Sequence, residues 1–304
     1  MGTLVSVAVE GPRRDVLERG VNYAYREMSR LSDMMNHYNP DSVVSAINRR
    51  AGRQPVKVPR ELMEVLFAAR RVSERSDGAF DITVGSLTGW RFNPEKPDIP
   101  SPEHTRRVLP LVNFRHVILD ENGRTVMLAQ PGTRIDLGGI AKLYILDAGM
   151  RTLKQHGIAH AMINGGGDVV VLGEHLGRPW RIGIRHPRRD GTLLGAVELT
   201  RGWVVTSGDY ERYFLRDGKR YHHILDPRTG YPTEGPQQVT LVADDVGLVN
   251  GYSLAIMVQG EEWGRDLIAR TPGLSGLIVS HDGEVWTSPG MDKFRLVISS
   301  PQAK

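Results

Sequence analysis

Three glycine-rich stretches of this 304-residue chain carry residues that could do chemistry. The first is Asp136-Leu137-Gly138-Gly139-Ile140-Ala141-Lys142, which runs into an apolar helical pattern. Glycines at a helix start leave backbone N–H groups open and let a ligand approach the chain closely. A helix N-terminus favours anions and Lys142 adds a full positive charge, which is what a phosphate or pyrophosphate would use. A tight strand-to-helix turn with a surface lysine accounts for the same residues without a ligand. The second stretch is Asn164-Gly165-Gly166-Gly167-Asp168, between apolar strands. Three consecutive glycines cost backbone entropy, so they need a geometric reason, either a bulge or a close ligand approach. The third is His222-His223-Ile224-Leu225-Asp226-Pro227-Arg228-Thr229-Gly230. Its Asp-Pro-Arg-Thr-Gly portion is turn chemistry in itself. A histidine near Asp226 could act as a general base near neutral pH, or simply cap the turn. Adjacent strand residues point to opposite faces, so at most one of the two histidines shares a site with Asp226, and metal binding by the pair is disfavoured.

The common signatures G-x-G-x-x-G, Walker A and H-E-x-x-H do not occur in the sequence. The absence of cysteine excludes disulfides, thiolate metal sites and a cysteine nucleophile within this chain. Lys plus Arg (39) against Asp plus Glu (35) leaves a net charge of only +4. The arginine pairs at 13–14, 49–50, 70–71 and 188–189 are dispersed and lack interleaved aromatics, which argues against nucleic acid as a partner. Apolar residues at 40% and charged residues at 24% describe an ordinary globular chain, and no stretch is apolar enough for a membrane helix. The opening residues MGTLVSVAVEG alternate like a strand and lack the pattern of a signal peptide.

The elements that must position these stretches can be read from periodicity. A strand is expected at 3–9 and a helix at 12–34, with Val16, Leu17, Val21, Ala24, Met28 and Leu31 at helical spacing. Asn39-Pro40-Asp41-Ser42 starts a turn that leads into a helix ending near 48. Leu62, Val65, Leu66 and Ala69 mark a helix over 60–76, and the Pro- and charge-rich stretch 88–110 reads as a surface excursion. Glu121-Asn122-Gly123-Arg124 joins strands 115–120 and 124–129 in a hairpin. A helix to about 156 follows Lys142, then strands at 169–172, 180–185, 194–199, 202–206 and 238–243. Helices at 246–258 and 261–271 and a hairpin around His281-Asp282-Gly283 close the chain. Strands neighbour strands often and βαβ alternation is incomplete, so the expected class is α+β with mixed sheets. No linker is long enough to separate independent domains, so residues 1–304 are expected to form a single domain.

These segments occur together and in order, and in that combination the chain resembles the ApbE family, the FAD:protein FMN transferases. The matching stretches are Met1-Gly2-Thr3, YNPDSVVSAIN (38–48), FDITVGSL (80–87), DLGGIAK (136–142), NGGGDVVVLG (164–173), PWRIGIRHP (179–187), TSGDYERYF (206–214) and HHILDPRTGYP (222–232). The resemblance implies an ApbE-like fold, sheets flanked by helices in two intimately packed subdomains with FAD between them. It also implies Mg2+-dependent transfer of FMN from FAD to a Thr or Ser hydroxyl of a partner flavoprotein, with release of AMP. By the same resemblance, Lys142 and the amides of Gly138 and Gly139 hold the pyrophosphate, and His223 is the base for the incoming hydroxyl. Tyr38 falls where the family places a side chain against the flavin. Met1, Asp81, Thr83, Asp136, Ser207 and Gly208 lie in segments that contact FAD in relatives. Breaking a pyrophosphate calls for charge neutralisation and positioning more than for covalent help.

The departures from the family are as informative as the matches. Where relatives read roughly A-D-A-x-[AS]-T-A, with Asp and Thr binding Mg2+ together with the carbonyl of the Ala141 position, this chain reads Val249-Asn250-Gly251-Tyr252-Ser253-Leu254-Ala255. Asn250 keeps an oxygen but no charge, Leu254 has no hydroxyl, and Leu143 stands where the family has Gly after the lysine. Mg2+ is typically held by one or two carboxylates plus substrate phosphates. The altered ligands therefore leave two alternatives to transfer: a flavin-binding family member with weak or no activity, and a slow FAD pyrophosphatase. Relatives are usually exported or lipid-anchored outside the cytoplasm, and an export signal for this chain would lie upstream of Met1.

Overall fold

The computed structural model describes residues 3–298. In its first half the chain forms β1 (Val5–Glu10), α1 (Arg14–Met35), α2 (Val43–Arg49), β2 (Val56–Lys57), α3 (Arg60–Arg75), α4 (Pro102–Val108), β3 (Val117–Asp120), β4 (Thr125–Leu128) and α5 (Ala141–Gln155). There follow β5 (His160–Gly165), β6 (Asp168–Leu172), β7 (Trp180–Arg185), β8 (Leu193–Leu199), β9 (Arg201–Gly208), β10 (Tyr213–Arg216), β11 (Lys219–His222) and β12 (Gln238–Ala243). The last elements are α6 (Val246–Val249), α7 (Tyr252–Gln259), α8 (Glu261–Arg270), β13 (Ser275–Val279), β14 (Val285–Thr287) and β15 (Val297–Ile298). None of the described helices is long and apolar enough to cross a membrane.

The chain divides into two compact units, with boundaries inside α1 and in the first turn of α5. One unit comprises Arg30–Lys142 and Glu211–Glu234. It contains the three-stranded sheet β2-β4-β3 and the two-stranded ribbon β10-β11. The other contains Leu143–Tyr210 and the described parts of 2–29 and 235–304. Its seven-stranded sheet runs β1-β5-β6-β9-β12-β13-β14, and a second sheet runs β15-β8-β7. A core of Val169, Val171, Val204, Val242, Leu277 and Val279 from the large sheet packs with Trp180, Ile182, Ile184, Leu194, Val197 and Leu199 from the small one. Strand β7 shows why: Trp180, Ile182 and Ile184 turn inward while Arg181, Gly183 and Arg185 face solvent, the period of two that a half-buried strand requires. Each such large apolar side chain contributes about 1.5–3 kcal/mol on burial.

The α+β class is as expected, but every described strand pair is antiparallel, so the sheets are not mixed. Three further expectations change. The excursion at 88–110 holds α4, started by Ser101, whose hydroxyl accepts the His104 N–H at 3.1 Å, and by Pro102 in the first turn. The stretch 213–221, to which periodicity assigns no element, forms with His222 the β10-β11 ribbon, turned by Asp217 (φ 52°) and Gly218 (φ 75°). The single helix expected over 246–258 is broken in two, because Gly251 takes φ 81° between α6 and α7.

Candidate functional site

In the first unit, two of the matching stretches, 38–48 and 80–87, are stitched to residues 134–136 at the start of the third. Ser42 caps α2 by accepting the Ser45 N–H at 3.0 Å, and α2 carries Asn48 to its end. The Asn48 amide closes a pair of bonds on Ile135, donating to its carbonyl (3.0 Å) and accepting its N–H (2.8 Å). Asp136 N–H donates to the Ile82 carbonyl at 2.8 Å, and Arg134 N–H to the Ser86 hydroxyl at 2.9 Å. Gly85 permits this approach: a Cβ there would stand 2.9 Å from Arg134 O, Ile135 C and Asp136 N. Asp81 and Thr83 shape the same turn from within. Asp81 Oδ1 accepts both the N–H (2.7 Å) and the hydroxyl (2.6 Å) of Thr83, Oδ2 accepts Phe114 N–H at 2.7 Å, and the Thr83 hydroxyl accepts Asn113 N–H at 2.8 Å. Burial raises the Asp81 carboxyl above its ordinary range in spite of those bonds.

The DLGGIAK turn then presents its polar groups. Asp136 Oδ1 accepts the Gly138 N–H at 2.7 Å and meets His37 Nδ1 at 3.2 Å. Burial would raise this carboxyl, but His37, the Gly138 N–H and the charge of Arg212 outweigh it and hold it low. His37 packs on the Tyr38 ring at 3.9 Å, leaving Tyr38 79% exposed. Ile140 and Ala141 donate to the Leu137 carbonyl, α5 starts at Ala141, and Lys142 stands half-buried in its first turn.

The ribbon brings His223 to the same unit. Tyr213 pairs with His222 and Phe214 with Tyr221. The His223 N–H donates to the Arg212 carbonyl at 3.0 Å, so the ladder continues one step and Arg212 and His223 stand opposite each other on one face. That face continues into the stacked rings of Phe214 and Tyr221 (5.3 Å, 7°) and of Phe92 and Trp90 (5.5 Å, 8°). His222 points the other way and is spent on structure, with Nε2 against the Thr233 carbonyl at 2.9 Å. The His223 Nδ1 is buried without a hydrogen-bond partner. Burial, then the charges of Arg212, His222 and Lys142, push this histidine down to about 3, so it is neutral at physiological pH. Of the two roles open to the histidines, sharing a site with Asp226 is not the one found. Asp226 turns back on its own loop and takes the Arg228 N–H (2.8 Å) and guanidinium (2.9 Å), closing the Asp-Pro-Arg-Thr-Gly turn on itself.

In the second unit the TSGDY stretch is held by Ser253, Arg188 and Gln238. Ser207 Oγ bonds Ser253 Oγ at 2.9 Å, and the space over Gly208 is filled by the Tyr210 ring, 2.3 Å from where a Cβ would stand. Asp209 receives both ends of the Arg188 guanidinium at 2.6 Å, and the Tyr210 hydroxyl donates to Gln238 Oε1 at 3.2 Å. The glycines of 165–167 serve neither a bulge nor any other irregular strand geometry. Gly166 (φ 65°) and Gly167 (φ 97°) form the two-residue turn joining β5 to β6, and Asp168 behind them accepts the Thr206 N–H at 3.0 Å.

The residues present do not fit the magnesium ion that the resemblance implies. Asn250 is neutral and buried at the end of α6, Leu254 on α7 offers no oxygen, and the Ser253 hydroxyl is engaged with Ser207. Ala141 is buried at the start of α5. No group of three His, Cys, Asp or Glu able to hold a metal occurs among the described residues. Met1 lies outside the described residues. Pattern reading passed over Asn48, Gly85 and Arg212, though each lies inside a matching stretch, and over the Asp217-Gly218 turn that makes the ribbon.

The fold and its ordered motifs are those of ApbE-type proteins. The structure is similar to the ApbE protein of Thermotoga maritima (TM-score 0.88, 36% identity, 96% of each chain) and to the flavin transferase ApbE of Vibrio cholerae (TM-score 0.82, 29% identity, 97% and 96%). In sequence it is 35% identical to an FAD:protein FMN transferase of Klebsiella pneumoniae over 91% of this chain and 84% of that one. It is 32% identical to the Treponema pallidum enzyme of the same name, over 98% and 87%. The ApbE family matches residues 1–278, and the chain belongs to that family.

Proposed function

We propose that this protein binds FAD and transfers FMN from it to a Thr or Ser hydroxyl of a partner flavoprotein, releasing AMP. Its relatives bear the name of that reaction. The observation that carries the reading is His223 of the HHILDPRTG stretch: a neutral, half-buried imidazole whose buried Nδ1 has no hydrogen-bond partner, set opposite Arg212. In the reaction the acceptor oxygen bonds to the FMN phosphorus while the P–O bond of the pyrophosphate breaks. AMP leaves with the bridging oxygen, and the hydroxyl proton passes to His223, which must be neutral to take it. Lys142 and the Gly139 amide hold the pyrophosphate, the Gly138 N–H being turned to Asp136. Tyr38, exposed on the His37 ring, covers the flavin. Asp81, Thr83 and Asp136 hold the turn that carries Gly138 to Lys142, and Ser207 and Gly208 belong to the TSGDY stretch of the second unit.

The altered metal positions favour one competing reading, a flavin-binding protein without transfer. Incubation with FAD and a flavin-acceptor protein separates them. Covalent flavin on the acceptor together with acceptor-dependent release of AMP supports transfer. A yellow protein that releases no AMP overturns it, and FMN plus AMP formed equally without acceptor identifies hydrolysis instead.

A further inference from the structure

We infer that Arg212 takes over at the FAD diphosphate the positive charge that a divalent metal would bring, so that this chain binds the dinucleotide without Mg2+. The inference rests on the FAD-dependent reading above and deepens it. Two independent observations lead to it.

The first is the donor set. Mg2+ is usually held by one or two carboxylates in addition to substrate phosphates, and the positions in question offer no carboxylate: an uncharged amide at Asn250, a hydrocarbon at Leu254 and a hydroxyl at Ser253 already bonded to Ser207.

The second is Arg212 itself. Its place is fixed by the ladder, through the His223 N–H on its carbonyl, and its side chain lies on the same face as His223. It is exposed, and its guanidinium makes no ion pair or side-chain hydrogen bond among the described residues. Its charge acts on both His223 and Asp136, and Lys142 acts on His223 as well. The carboxylate on which the Arg212 charge acts, Asp136, is already engaged by His37. The Arg212 guanidinium thus has no carboxylate bonded to it among the described residues, and a diphosphate supplies the negative charge it lacks. A guanidinium also suits this ligand, since its planar fork bonds two phosphate oxygens at once.

The test is equilibrium binding of FAD, ADP and riboflavin to the full chain, each in excess EDTA and in millimolar Mg2+, for wild type, Arg212→Gln and Arg212→Lys. Because Arg212 is exposed and unpaired, both variants should fold, which circular dichroism checks. Wild type should bind FAD with the same affinity, to about threefold, in both buffers. Arg212→Gln should weaken FAD and ADP about 10- to 100-fold, the worth of hydrogen bonds to a charged group, and leave riboflavin unchanged. Arg212→Lys should recover part of the loss. A tenfold gain in wild-type affinity on adding Mg2+ overturns the inference, as does ADP binding unaffected by Arg212→Gln. Weaker use of the acceptor protein with unchanged ADP binding also overturns it, assigning Arg212 to the acceptor instead. If wild type binds riboflavin and ADP but not FAD, or none of the three, the FAD-dependent reading itself fails.

Discussion

Asn48 and Ile135 are joined by two hydrogen bonds, 2.8 and 3.0 Å, across 87 positions of sequence. One side-chain amide thereby fixes the main chain immediately before the DLGG turn. Replacing it leaves a half-buried N–H and C=O without partners, each of which costs about 1–3 kcal/mol. Asn48→Ala should therefore lower unfolding stability by about 2–4 kcal/mol, measured by urea denaturation. On the proposed function it should also weaken FAD binding, because the turn that presents Lys142 is no longer held. An unchanged denaturation midpoint would show that α2 does not set that turn.

Gly85 is the second support of the same segment. Its backbone conformation is ordinary, so the demand is for space alone. A methyl group there would press on main-chain atoms at 2.9 Å, which have no rotamer to move into. Gly85→Ala should cost about 1–3 kcal/mol through overpacking. Thermal unfolding checks this directly, and stability equal to wild type would mean that 134–136 shifts freely.

Much of this frame was legible in the sequence, and the reasons are local. The helices carrying Leu62, Val65 and Leu66 or Val21, Ala24 and Met28 announce themselves by apolar spacing. The strand 180–185 does so by alternation. A helix of seven residues such as α4 has no room for a repeating apolar face, so only its cap residues, Ser101 and Pro102, signal it. The break between α6 and α7 was hidden because Val249, Ala255 and Ile256 keep a helical pattern across Gly251. The site was legible in its motifs and illegible in its contacts. DLGGIAK and HHILDPRTG name the residues, but that Arg212 stands opposite His223 follows from strand register. That Asp226 prefers Arg228 to a histidine follows from turn geometry.

His223 makes a prediction about pH with a definite sign. Its folded value is about 3, against an ordinary value of 6.5, so between those limits the unfolded chain binds the extra proton. Stability contributed by keeping this imidazole neutral is complete above the upper limit and declines as pH falls toward the lower one. His223→Gln removes the titrating group, so its stability should fall less steeply than that of wild type between about pH 6.5 and 4.5. Denaturation curves across that range read the difference, and parallel slopes would mean that the imidazole is accessible to protons in the folded protein. The same variant should abolish transfer while FAD still binds. Transfer at an undiminished rate would remove His223 from the role of base.

Restoring the family's ligands tests from the opposite side what the chain has lost. Asn250→Asp changes shape hardly at all but places a carboxylate at a buried position, and Leu254→Thr adds a hydroxyl one turn along α7. Without metal the new charge lacks compensation, so the double variant should be less stable than wild type in EDTA by about 1–3 kcal/mol at neutral pH. Ions that bind only the folded chain stabilise it by mass action, so Mg2+ should return part of that loss. Wild type should show the same melting temperature in EDTA and in Mg2+, whereas the double variant should melt higher with Mg2+. FAD binding by the double variant should become Mg2+-dependent in parallel, since an ion held by the restored ligands would take diphosphate oxygens as further ligands. A double variant indifferent to Mg2+ in both measurements would show that the two substituted side chains are not what separates this chain from a metal-binding relative.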